Sequence, residues 1–365
     1  MKKKRVILIT GVSGYWGTQV AGRLVSECKT HESDLQVIGL DTEPPGDELK
    51  GMDFIQADIR NPLFVELLKS EQVDTVCHLV FVESQCPTEP TFDVNVMGTM
   101  KVLGACAEAG VRKVVLKSSM SVYGATPGNP AFISEQAPLQ AGRAYGATRH
   151  LAEIESFCNG FRRQVPEMIL TILRFSSIVG PKVDSPLTRF LKQPLAPKLM
   201  GFDPLMQVIH EKDVAEALVY AILNDVPGVF NVAAEGILPL SKLTALAAKM
   251  PVPLFHLFAY WGVSAANTVG VSLSHYWPIE MDYLRYPWVG DLARMREELG
   301  YVPRYTAEEA LREFAGEQRV RQYMPESAAL AYDEERLRDT IERRKRGRDI
   351  GQPQMNEVEE ASYGG

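Results

Sequence analysis

A short apolar run, Arg5–Thr10, ends directly in Gly11-Val-Ser-Gly14-Tyr-Trp-Gly17, and a helical period begins inside that turn. Few chains can place three glycines there without a shared purpose. Gly11 permits the tight turn, Gly14 lets backbone approach a pyrophosphate, and Gly17 lets the helix pack closely on the strand. The helix N-terminus then faces the negative charge. Ser13, Tyr15 and Trp16 fill the rest of the turn and border whatever lies along it. A second apolar run, Gln36–Asp41, closes on an acid 24 residues after Gly17, near the ~20 expected for a carboxylate on an adenosine ribose. Such a carboxylate accepts from both ribose hydroxyls and repels a 2′-phosphate, so the pattern points to NAD rather than NADP.

The rest of the first half keeps the same rhythm. Strand candidates are Asp53–Gln56, Thr75–Leu79, Lys113–Lys117 and Ile169–Phe175, separated by helical stretches at Trp16–Cys28, Pro62–Ser70, Thr91–Ala109 and Tyr145–Arg163. Near-continuous apolar strands alternating with helices predict a Rossmann-type α/β fold, a doubly wound parallel sheet covered on both faces. After Gly180 five prolines mark a loop-rich stretch, followed by a helix at Glu211–Leu223, a strand at Val229–Val232 and a helix near Ser241–Lys249. The expected organisation is a dinucleotide-binding domain over 1–178, with 207–234 returning to it. A smaller substrate-binding portion follows over 179–324, then a charged helical or disordered tail over 325–365.

Composition narrows the partners. The 365 residues carry a net charge of −7 with 45% hydrophobic residues. An acidic chain is a poor partner for nucleic acid, whose binding rests on phosphate neutralisation. Five scattered cysteines without a CxxC read as reduced thiols of a cytoplasmic protein. The basic start is followed by too short an apolar run for a signal peptide. Residues 250–279 contain no charged side chain until Glu280 but several aromatics, among them Phe255, Phe258, Tyr260, Trp261, Tyr276 and Trp277. Three readings stay open for them: buried helices, an apolar cap over substrate, or a patch touching a membrane surface.

These motifs together resemble the extended short-chain dehydrogenase/reductase family of NAD-dependent epimerases and dehydratases. Ala57-Asp58-Ile59 matches the segment whose Asp binds the adenine amino group. His78-Leu79 matches the fourth-strand motif, with Val80 and Phe81 where small residues are usual. Asn95 falls on the helix that carries a structural Asn. Ser118-Ser119-Met-Ser-Val-Tyr123-Gly124 matches the fifth-strand motif, and Ser119 falls on the catalytic serine. Tyr145 and Arg149 occupy the YxxxK positions, and Leu173-Arg174-Phe175 and Ile209-His210-Glu-Lys-Asp213 match later segments. The cofactor contacts implied are Gly11, Ser13, Gly14, Tyr15, Trp16, Gly17, Asp41, Asp58, Ile59, Leu79, Val80, Asn95, Tyr145, Arg149 and Phe175.

The resemblance implies hydride transfer at a secondary alcohol or ketone, with Ser119 on the reacting oxygen and Tyr145 as acid/base. A tyrosine of pKa ~10 needs a nearby cation to act at neutral pH, and an i, i+4 spacing puts Arg149 on the same helix face. Arginine keeps the charge but cannot relay a proton as lysine does, so two readings stand: an active enzyme, or a catalytically weak NAD-binding regulatory protein. The family's nucleotide-sugar epimerases anchor the diphosphate with an Arg where this chain has Met206, and with an Asn-Pro pair where it has Ser177-Ile178. That favours a small-molecule substrate that is apolar and not a nucleotide, although Lys182, Arg189, Lys192 or Lys198 could replace the lost anchors. His210 and Asp213 are expected to cap a helix and orient the loop before it, not to bind metal. The family also implies a homodimer.

Overall fold

The computed structural model describes residues 5–30, 35–46, 49–83, 88–140, 146–193, 195–255, 279, 281–323 and 337. One compact unit covers Met1–Ala315 and a second Gly316–Gly365.

The first unit is built on β1 (Arg5–Thr10), β2 (Leu35–Asp41), β3 (Asp53–Gln56), β4 (Val73–His78), β5 (Lys113–Ser119) and β6 (Ile169–Phe175). Short strands follow: β7 (Ser177–Val179), β8 (Leu195–Leu199), β9 (Leu205–Met206) and β10 (Val208–His210). They are succeeded by β11 (Gly228–Val232), β12 (Leu238–Pro239) and β13 (Met250–Leu254). Seven strands form one sheet in the order β11-β6-β5-β4-β1-β2-β3, every pair parallel. The chain runs outward from β1 through β2 and β3, then returns to the other side of β1 with β4. The strand order therefore reverses between β1 and β4, where an open α/β sheet leaves a crevice at its carboxyl edge.

Alternation along the strands makes two cores. Ile7 and Ile9 of β1 join Val37, Cys77, Val115 and Leu173 on one face. Val6 and Leu8 join Ile38, Val76, Val114 and Leu170 on the other. Helices α1 (Tyr15–Thr30), α2 (Phe64–Ser70), α3 (Glu89–Phe92), α4 (Gly98–Ala109) and α5 (Gly146–Gln164) cross between strands. Helices α6 (Pro186–Lys192), α7 (Glu211–Leu223), α8 (Leu240–Leu246) and α9 (Ala307–Tyr323) follow among the described residues. The single helix expected over Thr91–Ala109 is instead α3, a π-helical turn at Asp93–Met97 and α4.

The loop-rich stretch after Gly180 hides three two-stranded pairs, β7 with β10, β9 with β12 and β8 with β13. Strands of two to five residues carry no readable period, and prolines at 197, 239, 251 and 253 obscure them further. The uncharged segment accordingly opens with a strand, where one of the three open readings had buried helices, and Met250 and Phe255 are exposed. Its other aromatics, Phe258, Tyr260, Trp261, Tyr276 and Trp277, lie outside the described residues. Among the described residues no helix is long and apolar enough to cross a membrane. Cys28, Cys77, Cys106 and Cys158 are free thiols.

Candidate functional site

At the crevice the glycine turn is as tight as its sequence requires. Gly11 has φ 77°, and a Cβ there would sit 2.8 Å from the Val80 backbone nitrogen. A Cβ on Gly17 would run into the Gly11 carbonyl oxygen. Gly14 is exposed, and a Cβ on it would meet only that carbonyl oxygen, at 3.4 Å, so its backbone faces open space. Asp41, at the tip of β2, accepts from the Ser13 amide (2.9 Å) and the Thr42 amide (2.7 Å). A carboxylate has about four acceptor sites, so capacity remains for a ligand. Asp58 beyond β3 is held by Arg60 (2.6 Å), which also pairs with Asp93. The Arg60 hydrogen bond pulls the Asp58 carboxyl below its usual pKa. Ile59 packs in the core beside it.

From the crevice a cleft of about 280 Å³ extends between β4, β5, β6 and α5. Trp16, Leu79, Val80, Ser119 and Phe175 line it. Ser119 Oγ accepts from the Ser121 amide (3.2 Å) and hydroxyl (2.9 Å), which leaves its own O–H to be donated to a ligand. Two other expected contacts are used elsewhere. Tyr15 sits near Glu211, and burial, reinforced by the Glu211 charge, raises its pKa. Asn95 exchanges bonds with the Val82 amide (2.7 Å) and carbonyl (2.8 Å) and reaches His150 Nδ1 (3.2 Å), so it clamps the loop after β4 instead of facing the cleft.

Of the expected acid/base pair only Arg149 is seen. Tyr145 lies outside the described residues. Arg149 does not line the cleft: it is half exposed and pairs with Glu153 at 2.9 Å on the outer face of α5. The face turned to the cleft carries Ala147, Thr148, Leu151, Ile154 and Glu155. A buried ion pair fixes that rotation, because Glu155 is gripped by Arg174 of β6 (2.6 Å) and receives the Ser118 hydroxyl (2.5 Å).

Several cleft residues were not anticipated. Lys117 of β5 projects into it, its ammonium 5.4 Å from the centre of the Trp16 ring. Burial lowers the Lys117 pKa, and Glu83 partly opposes that shift. A lysine directly after the apolar run Val114-Val115-Leu116 of β5 was the available signal. Ser176 Oγ and Trp288 Nε1 are buried without a hydrogen-bond partner among the described residues, and both residues line the cleft. So do Met206, Ser177 and Ile178, at the positions of the missing anchors. Of the cations considered as replacements, Arg189 is bound to Glu83 and Asp184, and Lys198 to Asp203.

His210 Nδ1 accepts from the Lys212 amide (3.1 Å) and so caps α7, as expected. Asp213 instead holds a later loop, through the amides of Arg304 (2.9 Å) and Tyr305 (3.1 Å). Among the described residues no cluster of side chains could hold a metal ion.

Comparison with known proteins gives a consistent picture. A model of the NAD dependent epimerase/dehydratase family matches residues 7–233. The uncharacterised protein Rv0501 of Mycobacterium tuberculosis is 34% identical over 322 residues, covering 85% of this chain and 83% of that protein. UDP-glucose 4-epimerase 2 of Oryza sativa is 28% identical over 189 residues, 48% of this chain and 45% of the enzyme. Among solved structures, the UDP-glucose 4-epimerase of Thermotoga maritima with UDP-glucose superposes with a TM-score of 0.65 at 20% identity, over 86% of this chain and 98% of that one. MoeE5 in complex with UDP-glucuronic acid and NAD gives 0.63 at 21% identity, with the same coverage. At these identities the solved structures speak to the fold.

Proposed function

Because the chain belongs to the NAD dependent epimerase/dehydratase family, we propose that it is an oxidoreductase that binds NAD across the β1–β4 crevice. It would act at a secondary alcohol or ketone of a small molecule with a largely apolar body. The observation that carries this reading is the turn in which Gly11 and Gly17 admit no Cβ while Asp41 waits at the tip of β2.

The residues fit the cofactor. Asp41 has acceptor capacity for the adenosine ribose, the first turn of α1 would face the pyrophosphate, and Asp58 is the residue proposed for the adenine. Bound NAD supplies the hydride acceptor or donor. Ser119 donates its O–H to the reacting oxygen, and Phe175, Leu151 and Ile154 wall the site against water. Tyr145 is the residue proposed to carry the proton. Met206, Ser177 and Ile178 offer no bidentate partner for a diphosphate, which supports a substrate other than a nucleotide sugar.

One observation favours a second reading, an NAD-binding regulatory protein with little turnover: α5 presents Ala147 and Leu151 to the cleft and turns Arg149 outward. The test has two stages. NADH is titrated into wild type and Asp41→Ala, which should bind at least tenfold more weakly. A thermal-shift panel then sets UDP- and dTDP-sugars against sterol-like and lipid-like ketones, and stabilising compounds are assayed for nicotinamide absorbance change with and without Tyr145→Phe. Stabilisation by a nucleotide sugar overturns the apolar assignment. NADH binding with no turnover on any stabilising compound selects the regulatory reading.

A further inference from the structure

We propose that Lys117 of β5 is the cation at the nicotinamide end of the cleft, donating to the ribose and phosphate oxygens on that side of a bound dinucleotide. The inference rests on the NAD-binding reading above and assigns to β5 a cofactor contact that the family resemblance implies for Arg149 of α5.

Residues two apart on a strand project from one face, so Lys117 shares its side of β5 with Ser119. Its ammonium reaches toward Trp16 in the first turn of α1 and so spans from the glycine turn to the reacting end of the cleft. No hydrogen bond or ion pair engages it among the described residues, and nearby Glu83 is bound to Arg189 at 3.0 Å. An ammonium carries three donors, and among the described residues no protein group takes any of them, so all three are available to the oxygens of a ligand in the cleft. Arg149 cannot do this from its outer position beside Glu153.

The strand order says which ligand spans the distance. Asp41 ends β2 and Lys117 lies near the end of β5, with β1 and β4 between them. Three strand spacings amount to roughly 14 Å. A dinucleotide with one ribose on Asp41 and its pyrophosphate at α1 presents its second ribose and phosphate at β5.

The experiment titrates the full-length protein with NADH and, separately, AMP, followed by protein fluorescence. Lys117→Met should weaken NADH at least tenfold and leave AMP unchanged, which also shows that the variant is folded. Burial lowers the Lys117 pKa, so wild-type NADH affinity should decline on the alkaline side. Lys117→Arg should restore affinity without that decline, because a guanidinium stays charged. Arg149→Met should bind like wild type. The proposal is overturned if Lys117→Met binds NADH as tightly as wild type, if it loses NADH and AMP equally, or if the loss follows Arg149→Met. Wild-type protein that binds no NADH removes the cofactor reading and Lys117 with it. Wild-type binding that survives Lys117→Met removes only the lysine.

Discussion

Arg174 grips Glu155 through Nη2 at 2.6 Å and Nε at 2.9 Å, with 3% and 2% of the two side chains exposed. This pair ties β6 to α5 beneath the cleft. Arg174 also donates to the Tyr123 hydroxyl (2.6 Å), which donates in turn to Asn231 (2.7 Å). The network decides which face of α5 meets a ligand. Glu155→Gln keeps the shape but leaves a buried guanidinium without its counter-charge, and should cost roughly 3 to 5 kcal/mol. Urea unfolding measures it. A double variant, Glu155→Leu with Arg174→Met, should recover much of that loss, because the stranded charge is gone.

Arg149 illustrates how far the sequence could be read. The alternating rhythm revealed the parallel sheet, and Leu151, Ile154, Phe157, Cys158 and Phe161 form an apolar stripe at helical spacing that marks α5. The i, i+4 pair Tyr145 and Arg149 was legible as a shared face too, but at 100° per residue Arg149 lies roughly 200° around the helix from Leu151. Once Ile154, Cys158 and Phe161 are buried, Arg149 must face outward. The sequence held both patterns; only tertiary contact between Glu155 and Arg174 shows which of them faces the cleft. Lys117 was missed for a related reason: a period-2 pattern marks a strand but not which of its residues ends over a crevice.

Gly17→Ala should abolish NADH binding and destabilise the fold together. The added methyl meets the Gly11 carbonyl oxygen, and backbone on both sides leaves no flexible side chain to yield. Overpacking of this kind costs about 3 kcal/mol. Thermal unfolding paired with an NADH titration checks both effects. A variant that melts like wild type and binds NADH would show that the turn can widen.

Acid should weaken the protein through His78. It is buried against the hydroxyls of Thr10 (2.7 Å) and Thr99 (3.0 Å), and desolvation pushes its pKa down to about 4. The unfolded imidazole titrates near 6.5. Above that pH both states are neutral and stability is flat. Between about 6.5 and 4 the unfolded chain takes up a proton that the folded chain refuses, so stability falls as pH drops, by roughly 3 kcal/mol in all. His210, also pushed down to about 4 by burial, adds a loss of the same sign. Unfolding free energies at successive pH values should show this slope, and His78→Gln should remove one residue's share.

Ser176→Ala should separate what the cleft needs for folding from what it needs for a ligand. Ser176 Oγ is buried, lines the cleft and has no hydrogen-bond partner among the described residues. Removing a hydroxyl that makes no bond forfeits nothing and relieves a desolvation cost of about 1 to 3 kcal/mol. The ligand-free variant should therefore melt at or above the wild-type temperature. A ligand whose carbonyl or hydroxyl accepts from this serine should bind the variant more weakly, with tenfold corresponding to 1.4 kcal/mol. Opposite signs in the two measurements identify Ser176 as a group held in reserve for substrate. A drop in both would mean that the hydroxyl is satisfied within the fold.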